Sequence, residues 1–142
     1  MTGQLPLFGL KPTPTQTIVE QTNAHGSAVI LMIETADSVK NIDDIAATDG
    51  VDLLLIGSND LAIELGVPGQ FTSEKFRKTL ECVSAACRKH GKVFGLAGIY
   101  DSPQLQGWAI KELGAGFILV QQDSGLISGA GKKATDAIVT LI

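Results

Sequence analysis

One pattern occurs four times along this chain: a short apolar run rich in β-branched residues, a polar turn, then a segment with helical periodicity. The spacing predicts strand 29–33 with helix 37–48, strand 51–56 with helix 73–90, strand 93–99 with helix 102–113, and strand 116–121 with helix 132–142. Successive βα units argue for a parallel sheet with right-handed crossovers. Strands that are apolar throughout predict that both sheet faces are covered. Two architectures satisfy this pattern. One is an open doubly wound sheet; the other is four of the eight units of a (β/α)₈ barrel, which typically takes about 250 residues. The chain has 142.

The clearest single element is helix 73–90. Ser73 is a natural N-cap, Phe76, Leu80, Val83 and Cys87 form an apolar stripe, and Gly91 is a stop. A loop containing Gly66, Pro68 and Gly69 leads into it. The last helix is predicted to follow a Gly-rich turn with Gly125, Gly129 and Gly131. Residues 1–17, with Pro6, Pro12 and Pro14, read as an irregular arm ahead of a domain spanning 18–142. The end of a helix over residues 17–23 joins the two.

Composition removes several function classes. Hydrophobic residues make up 44% and charged residues 18%, so the chain is globular rather than disordered. A net charge of −4 supplies no field for nucleic acid and no polybasic patch for a membrane surface. No apolar run reaches the length of a membrane span, and the N-terminus lacks the features of a signal or transit peptide. Cys82 and Cys87 sit five residues apart on one predicted helix and so point to different faces. Buried structural thiols in a reducing cytosol are the expectation.

The chemistry-bearing residues gather at the predicted strand ends. Glu34 follows the first strand, and Asp60 lies just past the second, in the run Gly57, Ser58, Asn59, Asp60, Leu61. In parallel α/β folds the C-terminal strand ends are where active sites are built. Two carboxylates on neighbouring strands suit a hard divalent cation; a helix cap and a loop acid are the plainer alternative. Backbone amides at Asn59 and Asp60 could form an anion nest, or an ordinary βα turn. No Gly-x-Gly-x-x-Gly follows the first strand, which counts against a dinucleotide site. No predicted strand carries a lysine of the kind a Schiff-base aldolase needs; Lys92 enters its strand at the opposite end. Residues 128–133 lack the spacing of a phosphate loop. His25 and His90 both precede strands, at the non-catalytic face, and Arg77 and Arg88 lie on the long helix.

These segments resemble the HpcH/HpaI family of metal-dependent aldolases, related to the citrate lyase β-subunit group. Ile33, Glu34 and Thr35 resemble its Ile-Glu-Thr metal motif, and residues 56–61 resemble its Gly-Pro-x-Asp-Leu motif, with Ser58 in place of the usual Pro. Residues 91–96 and 113–123 resemble its seventh and eighth strand segments. The resemblance covers residues 18–142 and only the C-terminal half of a family barrel. It implies Mg²⁺ or Mn²⁺ held by Glu34 and Asp60. It also implies a 2-oxo acid against Asn59, Asp60 and Ala97, with carbon–carbon cleavage releasing pyruvate or a close relative. The family's general-base His and carboxylate-binding Arg belong to the N-terminal half, and no residue here matches them, so no catalytic residue is assigned. A partial (β/α)₈ barrel acting as a homo-oligomer is therefore one expectation. A catalytically inactive paralogue or fragment that only binds metal or a partner chain is the other.

Overall fold

A computed structural model describes residues 11–100 and 102–139. Helix α1 (Thr15–His25) leads to β1 (Ile30–Ile33), then α2 (Ala36–Lys40) and α3 (Ile42–Ala47). Next come β2 (Leu53–Gly57), α4 (Ser58–Glu64), α5 (Glu74–Lys89), β3 (Val93–Ala97), α6 (Pro103–Lys111), β4 (Phe117–Ile118) and α7 (Asp123–Val139). The four strands form one sheet in the order β1-β2-β3-β4, and each adjacent pair is parallel.

Register assigns every strand residue to a face. Leu31, Ile33, Leu54, Ile56, Phe94, Leu96 and Ile118 share one side. The helices pack there, with Ile42 and Ala46 of α3, Leu61 of α4, Phe76, Leu80 and Val83 of α5, and Leu105 and Ala109 of α6 in one core. The other side carries Ile30, Met32, Leu53, Leu55, Val93, Gly95, Ala97 and Phe117. Only Leu53, Leu55 and Ala97 are buried on it, as a separate small cluster. Gly95 allows this, because a Cβ there would sit 3.0 Å from Leu55 and 3.1 Å from Leu53, whose side chains fold across β3.

Strands in sequence order with helices on one face are the arrangement of a barrel wall. A doubly wound sheet reverses its strand order and carries helices on both faces. The expectation that both faces are covered therefore fails for this chain. Ile30, Met32, Val93 and Phe117 remain exposed because a barrel covers its inner face with the strands opposite.

Local departures from the predicted elements have physical reasons. Helix 37–48 is two helices broken at Asn41, whose backbone (φ −100°, ψ 18°) leaves the helical region. The loop after β2 begins as α4, with no intervening residue. β3 ends at Ala97 because Gly98 turns at φ +86°. β4 is short, an edge with a single partner strand. The Gly-rich stretch predicted as a turn is helical throughout α7, which buries none of its residues. The helix foreseen near residues 17–23 runs from Thr15, inside the expected arm; residues 1–10 of that arm lie outside the described residues. The expected stripe of α5 holds, with Phe76, Leu80, Val83 and Cys87 all buried and the Ser73 side chain accepting from Phe76 N.

Candidate active site

Glu34 stands between the end of β1 and a closed helix cap. Thr35 Oγ1 accepts from Ser38 N at 3.1 Å, and Ser38 Oγ accepts from Thr35 N at 3.3 Å, a reciprocal capping box that holds the backbone beside Glu34. Strand alternation sends Glu34 to the side of Met32, the face the helices leave open. There it lies over Gly57 of β2. A Cβ at Gly57 would sit 3.0 Å from Glu34 Oε2 and 3.2 Å from Met32 Cγ, so the glycine makes room for the carboxylate.

Asp60 is in the first turn of α4, which starts directly from the end of β2. The N–H groups of that turn have no intrahelical partners. Asn59 Nδ2 donates to Gly98 O at 3.3 Å and ties α4 to the end of β3. Gly98 is constrained twice there, by its positive φ and by Asn59 Nδ2, which would lie 3.0 Å from any Cβ. Asn59, Asp60 and Ala97 together line one hollow of about 180 Å³, with Met32, Tyr100 and Leu119 completing its wall. Gly57 and Ser58 also line it, so the Glu34 carboxylate lies at its edge.

The donor set suits a hard cation. Neither the Glu34 nor the Asp60 carboxylate has a hydrogen bond or ion pair among the described residues. No cluster of three or more His, Cys, Asp or Glu occurs among the described residues. Two carboxylates are nonetheless enough for Mg²⁺, which keeps waters and takes remaining ligands from its substrate. A soft or borderline metal would want His or Cys ligands, and among the described residues none lines the hollow. Ser58 Oγ, in the wall of the hollow, is fully buried with no hydrogen-bond partner among the described residues.

The other candidate residues lie elsewhere. His90 caps the C-terminus of α5, before β3, with Nε2 2.9 Å from Asp43 Oδ1. His25 ends α1 ahead of β1. The Arg77 guanidinium stacks on Trp108, 4.2 Å from the ring centre, and Arg88 donates to Glu112 O. None of the four lines the hollow. Sequence reasoning missed Met32, Tyr100 and Leu119. Met32 was legible from its alternation with Glu34; Tyr100 depends on the turn at Gly98.

Residues 13–110 match the sequence profile of a family described as HpcH/HpaI aldolase/citrate lyase. The chain belongs to this family. HpcH/HpaI aldolases are generally dependent on a divalent metal. Among curated relatives, this family member is 47% identical to the 4-hydroxy-4-methyl-2-oxoglutarate aldolase of Hapsidospora irregularis. That match covers 99% of this chain and 52% of the relative. Identity to the enzyme of the same description from Chaetomium globosum is 48%, with the same coverage. The crystal structure of an HpcH/HpaI aldolase from Desulfitobacterium hafniense superposes with a TM-score of 0.74 at 29% identity, over 90% of this chain and 48% of that one. The chain spans about half the length of the curated relatives it matches. Its four parallel strands correspond to half of an HpcH/HpaI (β/α)₈ barrel.

Proposed function

We propose that this chain carries the metal-holding and substrate-holding wall of a class II aldolase. The reaction is carbon–carbon cleavage of a 4-hydroxy-2-oxo acid, releasing pyruvate or a close relative. The convergence of Asn59, Asp60 and Ala97 in one hollow, with the Glu34 carboxylate at its edge, carries this reading. The relatives described as 4-hydroxy-4-methyl-2-oxoglutarate aldolases support the substrate class. Glu34 and Asp60 hold Mg²⁺ or Mn²⁺. When bound, the ion supplies Lewis-acid stabilisation of negative charge on the substrate oxygen. The first-turn amides at Asn59 and Asp60 bind the substrate carboxylate, where the helix dipole favours an anion. Ala97, small and buried, shapes the floor and keeps water from the reacting carbons. The natural setting is a homo-oligomer in the cytoplasm acting on a small molecule, with no nucleic acid and no membrane surface involved. Among the described residues no helix is long and apolar enough to cross a membrane.

A second reading is an inactive member that binds metal or a partner chain without turnover. One observation favours it: among the described residues no His or Arg lines the hollow. Such groups contribute typically about 10²–10⁴-fold. One set of samples tests both readings. Mn²⁺ titrated into wild type and Asp60→Ala should bind the variant at least about tenfold more weakly, the scale on which metal-site changes are read. Equal affinity removes the site. Pyruvate release from a 4-hydroxy-2-oxo acid by the same wild-type sample overturns the inactive reading.

A further inference from the structure

Among the described residues the buried polar side chains are those of Ser58, Thr79 and Ser84. Two of them are paired. Thr79 Oγ1 donates to Lys75 O at 2.9 Å, and Ser84 Oγ donates to Leu113 O at 2.7 Å. Ser58 Oγ has no partner among the described residues, although its residue is wholly shielded from solvent. A hydroxyl left in that state has lost its hydration without return, and such a group in a native fold calls for a reason.

The usual local outlets are closed to it. Serine at a helix start commonly caps the helix, accepting from an amide two or three residues on. Here the cap position belongs to Gly57, and α4 has no side-chain cap bond. Serine within a helix can instead donate to the carbonyl four residues back. For Ser58 that residue is Leu54, inside β2 and paired with strands on both sides. The first helical position also suits proline, whose fixed φ pre-sets the helix. Serine gives up that advantage and brings a hydroxyl. What Ser58 borders is the site: it lines the 180 Å³ hollow with Asn59, Asp60 and Ala97. Gly98 flanks it on the β3 side, where a Cβ would lie 3.5 Å from Ser58 Cβ. The hydroxyl keeps one freedom, rotation about Cα–Cβ between staggered positions.

We infer that Ser58 is a substrate-contacting residue, its hydroxyl donating a hydrogen bond to an oxygen of the 2-oxo acid bound in the hollow. This rests on the proposed aldolase site, which supplies the 2-oxo acid. Such a ligand brings a charged carboxylate, and a hydrogen bond to a charged acceptor is roughly twice as strong as one between neutral groups. The Ser58 hydroxyl gains its partner only on binding, so the bond favours the complex and does nothing for the free chain. A structural serine behaves in the opposite way. Ser84 ties α5 to the segment after α6 whether or not a ligand is bound.

The test pairs calorimetric titration of pyruvate at saturating Mn²⁺ with urea unfolding of the free chain, for wild type, Ser58→Ala and Ser84→Ala. Ser58→Ala should weaken pyruvate about tenfold, the scale of a hydrogen bond to a charged group. Its unfolding midpoint without ligand should stay at or above that of wild type. Ser84→Ala should show the reverse, a lower midpoint with unchanged pyruvate affinity. A Ser58→Ala that binds pyruvate as wild type does overturns the inference, since water then suffices for the hydroxyl. So does a Ser58→Ala that unfolds earlier than wild type or fails to fold, because the hydroxyl then supports the fold. Loss of Mn²⁺ binding in Ser58→Ala overturns it as well, by placing the hydroxyl on the metal, and so does equal weakening of pyruvate by Ser84→Ala. In all these cases the aldolase site stands. A wild type that binds no pyruvate overturns the aldolase site itself, and this inference with it.

Discussion

Gly57 and Cys87 each make a measurable claim. The carboxylate of Glu34 occupies the space a side chain at Gly57 would take, 3.0 Å from the Cβ position. Gly57→Ala should push Glu34 out of place and cost about 1–3 kcal/mol, the usual range for overpacking. It should also weaken Mn²⁺ binding, so denaturation midpoint and metal titration check it together. Cys87 is on the buried stripe of α5, and burial pushes its thiol from the ordinary 9.0 up to about 11. Cys82 is exposed on the same helix, against the expectation that both thiols are buried, because it lies off the apolar stripe of Phe76, Leu80, Val83 and Cys87. An alkylating reagent at pH 8 should label Cys82 in the folded chain and reach Cys87 only on unfolding. The sign for stability follows from the raised value. The folded chain holds the thiol proton more tightly than the unfolded one. The contribution of Cys87 is thus fully present below pH 9 and is lost as pH rises toward 11. A denaturation midpoint unchanged across that window in the wild type, against Cys87→Ala, would contradict it.

Two helices of similar length differ in what holds them. α5 has a side-chain cap at Ser73, Glu74 in its first turn, Arg88 and Lys89 in its last, and a fully buried stripe. Ser84 Oγ donates to Leu113 O at 2.7 Å, and Lys89 and His90 both reach Asp43 of α3. That pairing, led by Lys89, holds the Asp43 carboxyl below its ordinary value. α7 has an acidic first-turn residue, Asp123, and a surface Lys132–Asp136 pair, but buries none of its residues. It contains Gly125, Gly129 and Gly131, each costing about 1 kcal/mol relative to Ala in a helix, and exposes Leu126, Ile127, Ile138 and Val139. Amide hydrogen exchange should therefore be far slower through residues 76–87 than through residues 125–138. Equal protection would mean that α7 docks against something the chain meets in solution.

At the scale of the whole molecule, the sheet has one packed face and one open face. Ile30, Met32, Val93 and Phe117 stand exposed on the open side, and β1 and β4 are edges. Open edges next to apolar surface are templates for association. Light scattering on the purified chain should report particles heavier than 14.9 kDa, growing with concentration. Met32→Lys, which puts a charge at the centre of the open face, should shift them toward monomer. A compact wild-type monomer with cooperative unfolding would contradict the open-face picture.

Local pattern made much of this legible from sequence. Runs 29–33, 51–56 and 93–99 announce strands because β-branched and apolar side chains fit a pleated, buried surface. The stripe of α5 follows from 3.6-residue periodicity. Glu34 and Asp60 stood out as candidates because Glu34 directly follows such a run and Asp60 lies four residues past another, and strand ends in parallel sheets lie together. Three things were decided only in three dimensions. Strand order chose the barrel wall over the doubly wound sheet, and order depends on pairings between residues far apart in the chain. The α7 segment is helical despite its glycines, against local propensity. Tyr100 entered the site only because Gly98, held open by Asn59 from another element, turns the chain there. Periodicity is a property of neighbours along the chain, whereas a hollow is a property of elements meeting across it.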